Sequence, residues 1–167
     1  LGDVYKRQVI SSVGKGVTGF KVGDRVGFFK GFGAFAEKIV VQEALAFPLP
    51  KNLPLDVAGG MFMVYSTSLL ALKQRANIKA GDEVLVLGAA GGVGLAAVDL
   101  AKAYGARVVA AVSTEEKAVL CRKYGADDVV IYGTKKLDKE AQVSFGKELK
   151  AKSKKGGYNI IYDPVGD

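Results

Sequence analysis

The 167-residue chain contains no histidine and a single cysteine, Cys121. Without histidine it cannot form a zinc site of the usual cysteine and histidine kind, nor a serine–histidine–aspartate triad. A single cysteine excludes a disulfide within the chain and is typical of a reducing compartment, so we expect a cytoplasmic location and leave a mitochondrial one open. No apolar run in the sequence is long enough to cross a bilayer, and we expect no membrane association.

Acidic residues are fewer than basic ones, which gives a formal net charge of +7. The excess lysines lie near the end of the chain: Lys135, Lys136, Lys139, Lys147, Lys150, Lys152, Lys154 and Lys155. This segment has the pattern of an amphipathic helix whose apolar residues are Val143, Phe145 and Leu149. Because no aromatic residues are interleaved with the lysines, we favour a solvated helix face over a nucleic-acid surface, and we expect no nucleic-acid partner.

A glycine-rich loop, GAAGGVG at residues 88–94, follows a predicted strand at 83–87 and precedes a predicted helix at 95–104. Glycine permits a tight turn and the close approach of a phosphate, and the free N–H groups of the next helix attract anions. The pattern is A-x-G-x-x-G, with Ala89 in place of the first glycine of the usual fingerprint. It predicts a pyrophosphate cradle at Ala90, Gly91, Gly92 and Val93. The alternative is a turn that binds nothing.

Strands and helices alternate from residue 80 onward. Three more apolar strands are predicted at 107–112, 129–132 and 158–162, with helices between them. Ser113 is the expected N-cap of the second helix, with Glu116 completing a capping box. Cys121 falls among apolar helix residues and is interpreted as inert core. The alternation predicts an α/β fold with a doubly wound parallel sheet, covered by helices on both faces.

The first part of the chain has a different texture. Short strand-like runs at 20–26, 33–41 and 45–48 are separated by glycine turns, which is typical of a small antiparallel, barrel-like unit. An apolar stretch at 53–76 has helical spacing and is expected to connect the two parts. We place one domain at residues 9–64 and the second at 65–167.

Several stretches together resemble the medium-chain dehydrogenase/reductase superfamily, in its zinc-free quinone oxidoreductase branch. They are VGKGVTGFKVGDRV, GAFAEKIVV, FPLPKNLP, IKAGDEVLVLGAAGGVGLAAVDLAKAYGARVVAAVSTEEK, YGADDVVIY and YNIIYDPVG. The resemblance implies part of a GroES-like catalytic domain followed by part of a Rossmann domain. It also implies a fragment of a longer protein, with residues 1–8 as a non-native, adaptor-like segment. We therefore expect the isolated chain to be inactive, and poorly soluble because its last strand is an unpaired edge.

The tip of the second parallel strand indicates which dinucleotide would bind. An NAD site usually has a carboxylate there to bind the ribose 2′-hydroxyl, whereas this chain has Ser113, followed by Lys117 one helical turn later. The resemblance implies that Lys117 and Tyr132 contact a 2′-phosphate. We therefore favour NADPH over NADH. The alternatives remain a solvated lysine and a packed aromatic, and Glu115 and Glu116 are evidence against NADPH.

The resemblance also implies the chemistry: transfer of a hydride from NADPH to a quinone or enone, without zinc, in a homodimeric full-length protein. Thr67, in the segment Tyr65-Ser66-Thr67, would lie near the nicotinamide, and Tyr65 would wall the pocket. The alternative for both residues is packing and capping at a helix start. We name no catalytic residue. A second function that the branch permits is an NADPH-binding structural or RNA-binding protein with little turnover.

Overall fold

The computed structural model describes residues 5–33 and 36–166, which form two compact units, Leu1–Met63 and Val64–Asp167. The strands are β1 Tyr5–Val9, β2 Arg25–Phe29, β3 Ala46–Pro48, β4 Glu83–Val86, β5 Arg107–Val112, β6 Asp128–Ile131 and β7 Ile160–Tyr162. The helices are α1 Leu55–Leu69, α2 Gly92–Ala103, α3 Glu115–Lys123 and α4 Lys139–Lys152. A 3-10 turn covers Glu43–Leu45, and a π-helical segment, Leu70–Arg75, continues α1.

The first unit contains a three-stranded antiparallel sheet in the order β1-β2-β3. Gly27 is buried in β2, where a Cβ atom would lie 2.4 Å from the ring of Phe47 on β3, so a side chain there would displace the ring. The prediction of a strand at 33–41 is wrong for the described residues 36–41, which form none. Val40 is 88% exposed in this segment, with no strand beside it to complete a ladder. Ala34 and Phe35 lie outside the described residues.

The segment that we set aside as adaptor-like takes part in this sheet. Strand β1 pairs with β2 from Tyr5 opposite Phe29 to Val9 opposite Arg25. An adaptor-like segment would have no place in the fold, and that part of the interpretation is wrong for residues 5–8, whose backbone forms ladder hydrogen bonds. That the segment is non-native stays a prediction.

Helix α1 and its π-helical continuation form one helix, Leu55–Arg75, of 21 residues. An 18-residue window within it has a mean hydropathy of 1.4, so the helix is long and apolar enough to cross a membrane by length and composition. The statement that no apolar run is long enough is therefore wrong on this criterion, because a few polar residues inside the run hide its length. Core helices of soluble proteins meet the same criterion, so the absence of membrane association stays a prediction.

The second unit is built on a four-stranded parallel sheet in the order β6-β5-β4-β7. Counted along this unit, the order is 3-2-1-4, as expected for a doubly wound sheet. Side chains of β5 alternate between two cores: Val108 and Val112 face the cluster that contains α2 and α3, and Val109 faces the cluster that α4 covers. The predicted α/β architecture is confirmed, and Cys121 is buried in the first cluster.

One detail of this unit differs from expectation, and a second agrees with it. Val143 is 59% exposed on α4, so the apolar face of that helix is reduced to Phe145 and Leu149, which pack against the second cluster. Strand β7 pairs with β4 and has no second neighbour among the described residues, and Ile161 is 62% exposed on it. The described part of β7 is therefore an edge, while poor solubility stays a prediction.

Candidate dinucleotide-phosphate site

The glycine loop leaves β4 at the carboxyl edge of the parallel sheet and lies across the ends of its two neighbours. The N–H of Leu87 donates to the Tyr162 carbonyl at the end of β7 (2.9 Å), and the N–H of Ala89 donates to the Ala111 carbonyl in β5 (3.2 Å). Gly88 has a φ of +57°, in the left-handed region that glycine adopts without strain. The loop is thus anchored on both sides before helix α2 begins.

Gly94 explains how tightly helix and loop are joined. A Cβ atom at this position would lie 2.6 Å from the carbonyl oxygen of Gly88 and 2.8 Å from backbone atoms of Ala89. Backbone atoms cannot give way as a flexible side chain can, so only glycine fits. Ala89 is itself fully buried at this contact. The substitution of alanine for the first glycine of the fingerprint therefore retains a small residue where one is needed.

Helix α2 begins with N–H groups that have no acceptor within the helix, whereas the N–H of the N-cap residue Gly91 donates to the Gly88 carbonyl at 3.1 Å. Gly91 is the N-cap residue, in an extended conformation, and no side-chain cap bond is formed there within the described residues. Gly92 and Gly91 are exposed, and Val93 is half-buried. The first N–H groups of a helix lack intrahelical acceptors and carry the positive end of the helix dipole. This geometry suits a phosphate group, which supports the predicted cradle at Ala90, Gly91, Gly92 and Val93 without testing it.

The structure brings Ser113 and Lys117 together at the end of β5. The Lys117 ammonium donates to the Ser113 hydroxyl at 2.8 Å. The predicted N-cap is wrong by one residue: Thr114 caps α3, its Oγ1 accepting from the Lys117 N–H at 3.4 Å. The chain enters the helix one residue later than the capping box predicts, which leaves the Ser113 side chain at the strand tip beside the lysine.

The two acidic residues at the start of α3 are engaged locally. The Glu115 carboxylate accepts a hydrogen bond from Arg122 at 3.0 Å, and both residues belong to α3. A hydrogen bond with the Thr114 side chain lowers the pKa of Glu116. Both carboxylates thus have partners within α3, and their weight as evidence for a ribose 2′-hydroxyl contact is reduced.

Tyr132 follows β6 and lies next to the same strand tip. Its N–H donates to the carbonyl of Val112, the residue before Ser113, at 2.9 Å. Its half-buried ring meets Phe145 of α4 edge-on, with ring centroids 5.5 Å apart. The backbone of Tyr132 is therefore placed where a cofactor contact is expected. Its ring is packed as the alternative expects, so the contact with a 2′-phosphate stays a prediction.

Thr67 and Tyr65 do not lie at a helix start, as predicted, but in the last turns of α1. Their segment fits the helix pattern throughout, and α1 begins earlier, at Leu55. Thr67 is exposed. The Tyr65 hydroxyl donates to Asp99 of α2 at 2.7 Å. Burial is the larger cause and this hydrogen bond the second, and together they raise the pKa of Tyr65 to about 12. The phenol is therefore protonated at neutral pH.

Ser68 is the residue of this region that the sequence did not reveal. It is fully buried, and its hydroxyl donates to the carbonyl of Val93 in the first turn of α2, at 2.8 Å. The Tyr162 hydroxyl lies 3.3 Å from the same oxygen. A serine inside an apolar helix gives no sign of its partners, since both come from segments distant in the sequence.

The first unit contains a cavity of about 450 Å³. Its lining is mainly apolar, including Phe20, Val26, Phe28 and Ile39, with Glu37 and Lys38 as charged members. None of the predicted site residues lines it. Among the described residues, no group of three or more cysteine, aspartate or glutamate side chains could hold a metal ion.

Comparison with known proteins gives consistent results. Residues 92–167 match the family described as zinc-binding dehydrogenase. Over 94% of this chain, the sequence is 33% identical to a quinone oxidoreductase of Pseudomonas aeruginosa, covering 46% of that protein. It is 34% identical to a 2-haloacrylate reductase of a Burkholderia species over 95% of this chain and 46% of that protein. The chain thus spans about half the length of these curated relatives.

A solved mycobacterial protein in complex with NADPH is 34% identical and superposes with a TM-score of 0.82, over 99% of this chain and 50% of that one. Similarity at this level extends through both units and includes the glycine loop. Together with the strand order and the loop geometry, it places the chain in the medium-chain dehydrogenase/reductase superfamily, among the quinone oxidoreductase-like proteins.

Proposed function

We propose that this chain is part of an NADPH-dependent oxidoreductase that transfers a hydride to a quinone or an activated alkene. The observation that carries the proposal is the cradle at the start of α2, where Gly94 has no room for a Cβ atom and the exposed Gly91 and Gly92 begin the helix without a side-chain cap. The quinone oxidoreductase and 2-haloacrylate reductase relatives support the reaction class, and the NADPH complex of a similar fold supports the cofactor.

The choice of NADPH rests on the strand tip after β5. A 2′-phosphate needs a cation and hydroxyl donors, and the Lys117 ammonium already lies against the Ser113 hydroxyl there. Lysine binds phosphate as a point charge. The carboxylates that would favour a 2′-hydroxyl are held by Arg122 and Thr114 instead. NADH remains the less favoured cofactor.

NADPH would supply the hydride when bound, and the protein would supply orientation and electrostatic stabilisation. The negative charge that develops on the substrate oxygen must be met by hydroxyl groups, backbone N–H groups or water if no zinc takes part. Thr67 is the residue of this chain that we propose for contact near the nicotinamide. Zinc independence is supported by the absence of histidine and by the single cysteine. We assign no catalytic residue.

The test uses protein expressed from the complete reading frame. We expect steady NADPH oxidation with a simple quinone, and tighter binding of NADPH than of NADH. Lys117→Ala should weaken NADPH binding about tenfold and leave NADH binding within twofold, because it removes one charge-assisted contact to the 2′-phosphate. Lys123→Ala, an exposed lysine of the same helix, is the matched control. Tighter NADH binding, or unchanged NADPH affinity in Lys117→Ala, would contradict the assignment.

A second candidate is an NADPH-binding structural or RNA-binding protein with little turnover. The observation that favours it is the exposed lysine side chains of α4 and its flanks, including Lys147 and Lys150. RNA retention that falls steeply with salt, without quinone-dependent NADPH oxidation, would support it.

For the oxidoreductase that we favour, we further propose a homodimer in the cytoplasm, with a small-molecule substrate and neither membrane nor nucleic-acid partners. Measurement of the molecular mass in solution tests the homodimer, and cell fractionation tests the location.

A further inference from the structure

The buried hydroxyl of Ser68 connects three segments around the candidate cradle. It belongs to α1, it donates to the Val93 carbonyl in α2, and it lies beside the Tyr162 hydroxyl at the end of β7. A serine hydroxyl has one proton. Since a carbonyl oxygen can only accept, that proton goes to Val93, and the Tyr162 hydroxyl is the donor to Ser68. The direction of this relay is thus determined by chemistry: Tyr162 to Ser68 to Val93.

The acceptor of the relay belongs to Val93, the last residue of the candidate cradle, and lies in the peptide unit that leads to the buried Gly94. The Val93 carbonyl and the Gly94 N–H share one planar, trans peptide bond, so fixing the carbonyl fixes the direction of the N–H. That N–H is one of the first-turn donors that lack an intrahelical acceptor. A hydrogen bond to the carbonyl also polarises the peptide unit and strengthens its N–H as a donor.

The other end of the relay is anchored in the sheet. Tyr162 is the last residue of β7, and its carbonyl accepts from the Leu87 N–H where the glycine loop begins. The same residue therefore contacts the loop through its backbone and Ser68 of α1 through its hydroxyl. Both contacts lie within the second unit, so they do not depend on how the two units are arranged.

We propose that Ser68 is a positioning residue for dinucleotide binding: with Tyr162, it aligns the first turn of α2 for the pyrophosphate. This inference rests on the proposed function, because it assigns Ser68 to the same cradle. The pyrophosphate is common to NADPH and NADH. The relay should therefore affect both cofactors equally, in contrast to Lys117, which should affect NADPH alone.

The experiment measures NADPH and NADH dissociation constants by titration on protein from the complete reading frame. In Ser68→Ala we expect both constants to rise about fivefold to tenfold with their ratio unchanged, and kcat at saturating cofactor to stay within twofold. The amide proton of Gly94 should shift upfield in the nuclear magnetic resonance spectrum of the cofactor-free protein, because its peptide unit loses the polarising bond. Ser144→Ala, an exposed serine of α4, is the matched control.

Tyr162→Phe tests the relay independently, in case the buried alanine prevents folding. It keeps the Ser68 donation to Val93 and removes only the support behind it, so both dissociation constants should rise about twofold to threefold. Tyr104→Phe, a half-buried tyrosine at the opposite end of α2, is its control.

Three results separate the possible failures. Wild-type protein that binds neither cofactor would overturn the proposed function and this inference together. Wild-type binding with unchanged constants in Ser68→Ala, or in Tyr162→Phe where the alanine variant does not fold, would overturn the inference alone. A changed ratio of the NADPH and NADH constants would do the same, because it would place Ser68 near the 2′-phosphate.

Discussion

The two ends of the parallel strands use polar groups in opposite ways. The amino edge is the side of the sheet where these strands begin, and the carboxyl edge is the side where they end. At the amino edge, Glu83 is 2% exposed and accepts from the Ser153 hydroxyl at 2.5 Å and from the N–H groups of Lys154 and Lys155. Arg107 pairs with both Glu83 and Asp128. At the carboxyl edge, the first turn of α2 has no side-chain cap within the described residues. One edge satisfies its charges internally, and the other keeps its donors available.

This difference teaches where to expect function in the fold. A buried carboxylate with several donors is typical of a structural site, because every polar atom already has its partner. Open N–H groups at a helix start retain their attraction for an external anion. The amino edge should therefore affect stability without affecting the cofactor, and the carboxyl edge should affect cofactor binding most.

Gly94→Ala, at the carboxyl edge, should have the largest effect on both stability and cofactor affinity. Its Cβ atom would collide with the backbone of Gly88 and Ala89, and relieving the overlap must move the loop away from the helix. We expect a loss of about 3 kcal/mol in the free energy of unfolding and at least a tenfold loss of affinity for NADPH. Urea unfolding and cofactor titration measure the two effects.

Gly146→Ala is the matched control for that substitution. Gly146 lies within α4, and a Cβ atom there meets nothing within 4 Å. Alanine has the higher helix propensity, so this variant should be more stable by about 0.5–1 kcal/mol and bind NADPH as the wild type does. Equal tolerance of alanine at both glycines would mean that the loop does not need its close contact with α2.

Glu83→Gln, at the amino edge, should reduce stability by a smaller amount than Gly94→Ala. The amide keeps the size of the side chain but places an N–H₂ group among donors from Ser153, Lys154 and Lys155. Arg107 also loses one of its two carboxylate partners. We expect the free energy of unfolding to fall by about 2 kcal/mol, measured by urea unfolding.

The cofactor measurement makes that result informative. NADPH affinity in Glu83→Gln should stay within twofold of the wild type, since the site lies at the other edge of the sheet. Glu148→Gln, an exposed glutamate of α4, should change neither quantity. If Glu83→Gln weakened cofactor binding as strongly as it weakened the fold, the two edges would not be independent.

The sequence was sufficient to predict the second unit because its signals are local. Strands with continuous apolar residues, glycine at helix ends and the loop pattern each depend on neighbouring residues, and together they predict the parallel sheet and the glycine loop before α2. The pairing of Ser113 with Lys117 also follows from helical spacing, although the cap itself lies one residue later, at Thr114.

The features that the sequence did not reveal depend on distant segments. The relay at Ser68 joins residues 25 and 94 positions apart, and nothing near Ser68 indicates either partner. The same holds for Glu83, which accepts hydrogen bonds from a segment 70 to 72 residues away. The strand predicted at 33–41 does not form over the described residues 36–41 for a related reason, because the sequence of one segment does not supply the neighbouring strand that a ladder requires.

Acidification should gradually reduce the stability that the carboxylates of the amino edge contribute. The hydrogen bond from Ser153 lowers the pKa of Glu83, and the hydrogen bond from Lys152 lowers that of Asp128. Burial works against the ionisation of Asp127, but hydrogen bonds from Lys102 and the Val108 N–H still lower its pKa overall. Each group binds its proton more weakly in the folded chain than in the unfolded one.

The sign follows from this order. Stabilisation by these carboxylates is complete above the unfolded-state pKa values of about 4, and it is lost as the pH falls through that value towards the lower folded-state values. Urea midpoints should therefore be level between about pH 7 and 5 and decrease below about pH 4.5. The decrease should be shallower in Glu83→Gln, which has one group fewer to titrate, and unchanged in Glu148→Gln. An identical decrease in Glu83→Gln and the wild type would show that the buried carboxylate does not contribute, and the acid sensitivity would then belong to the other carboxylates with a lowered pKa, which include Asp127 and Asp128.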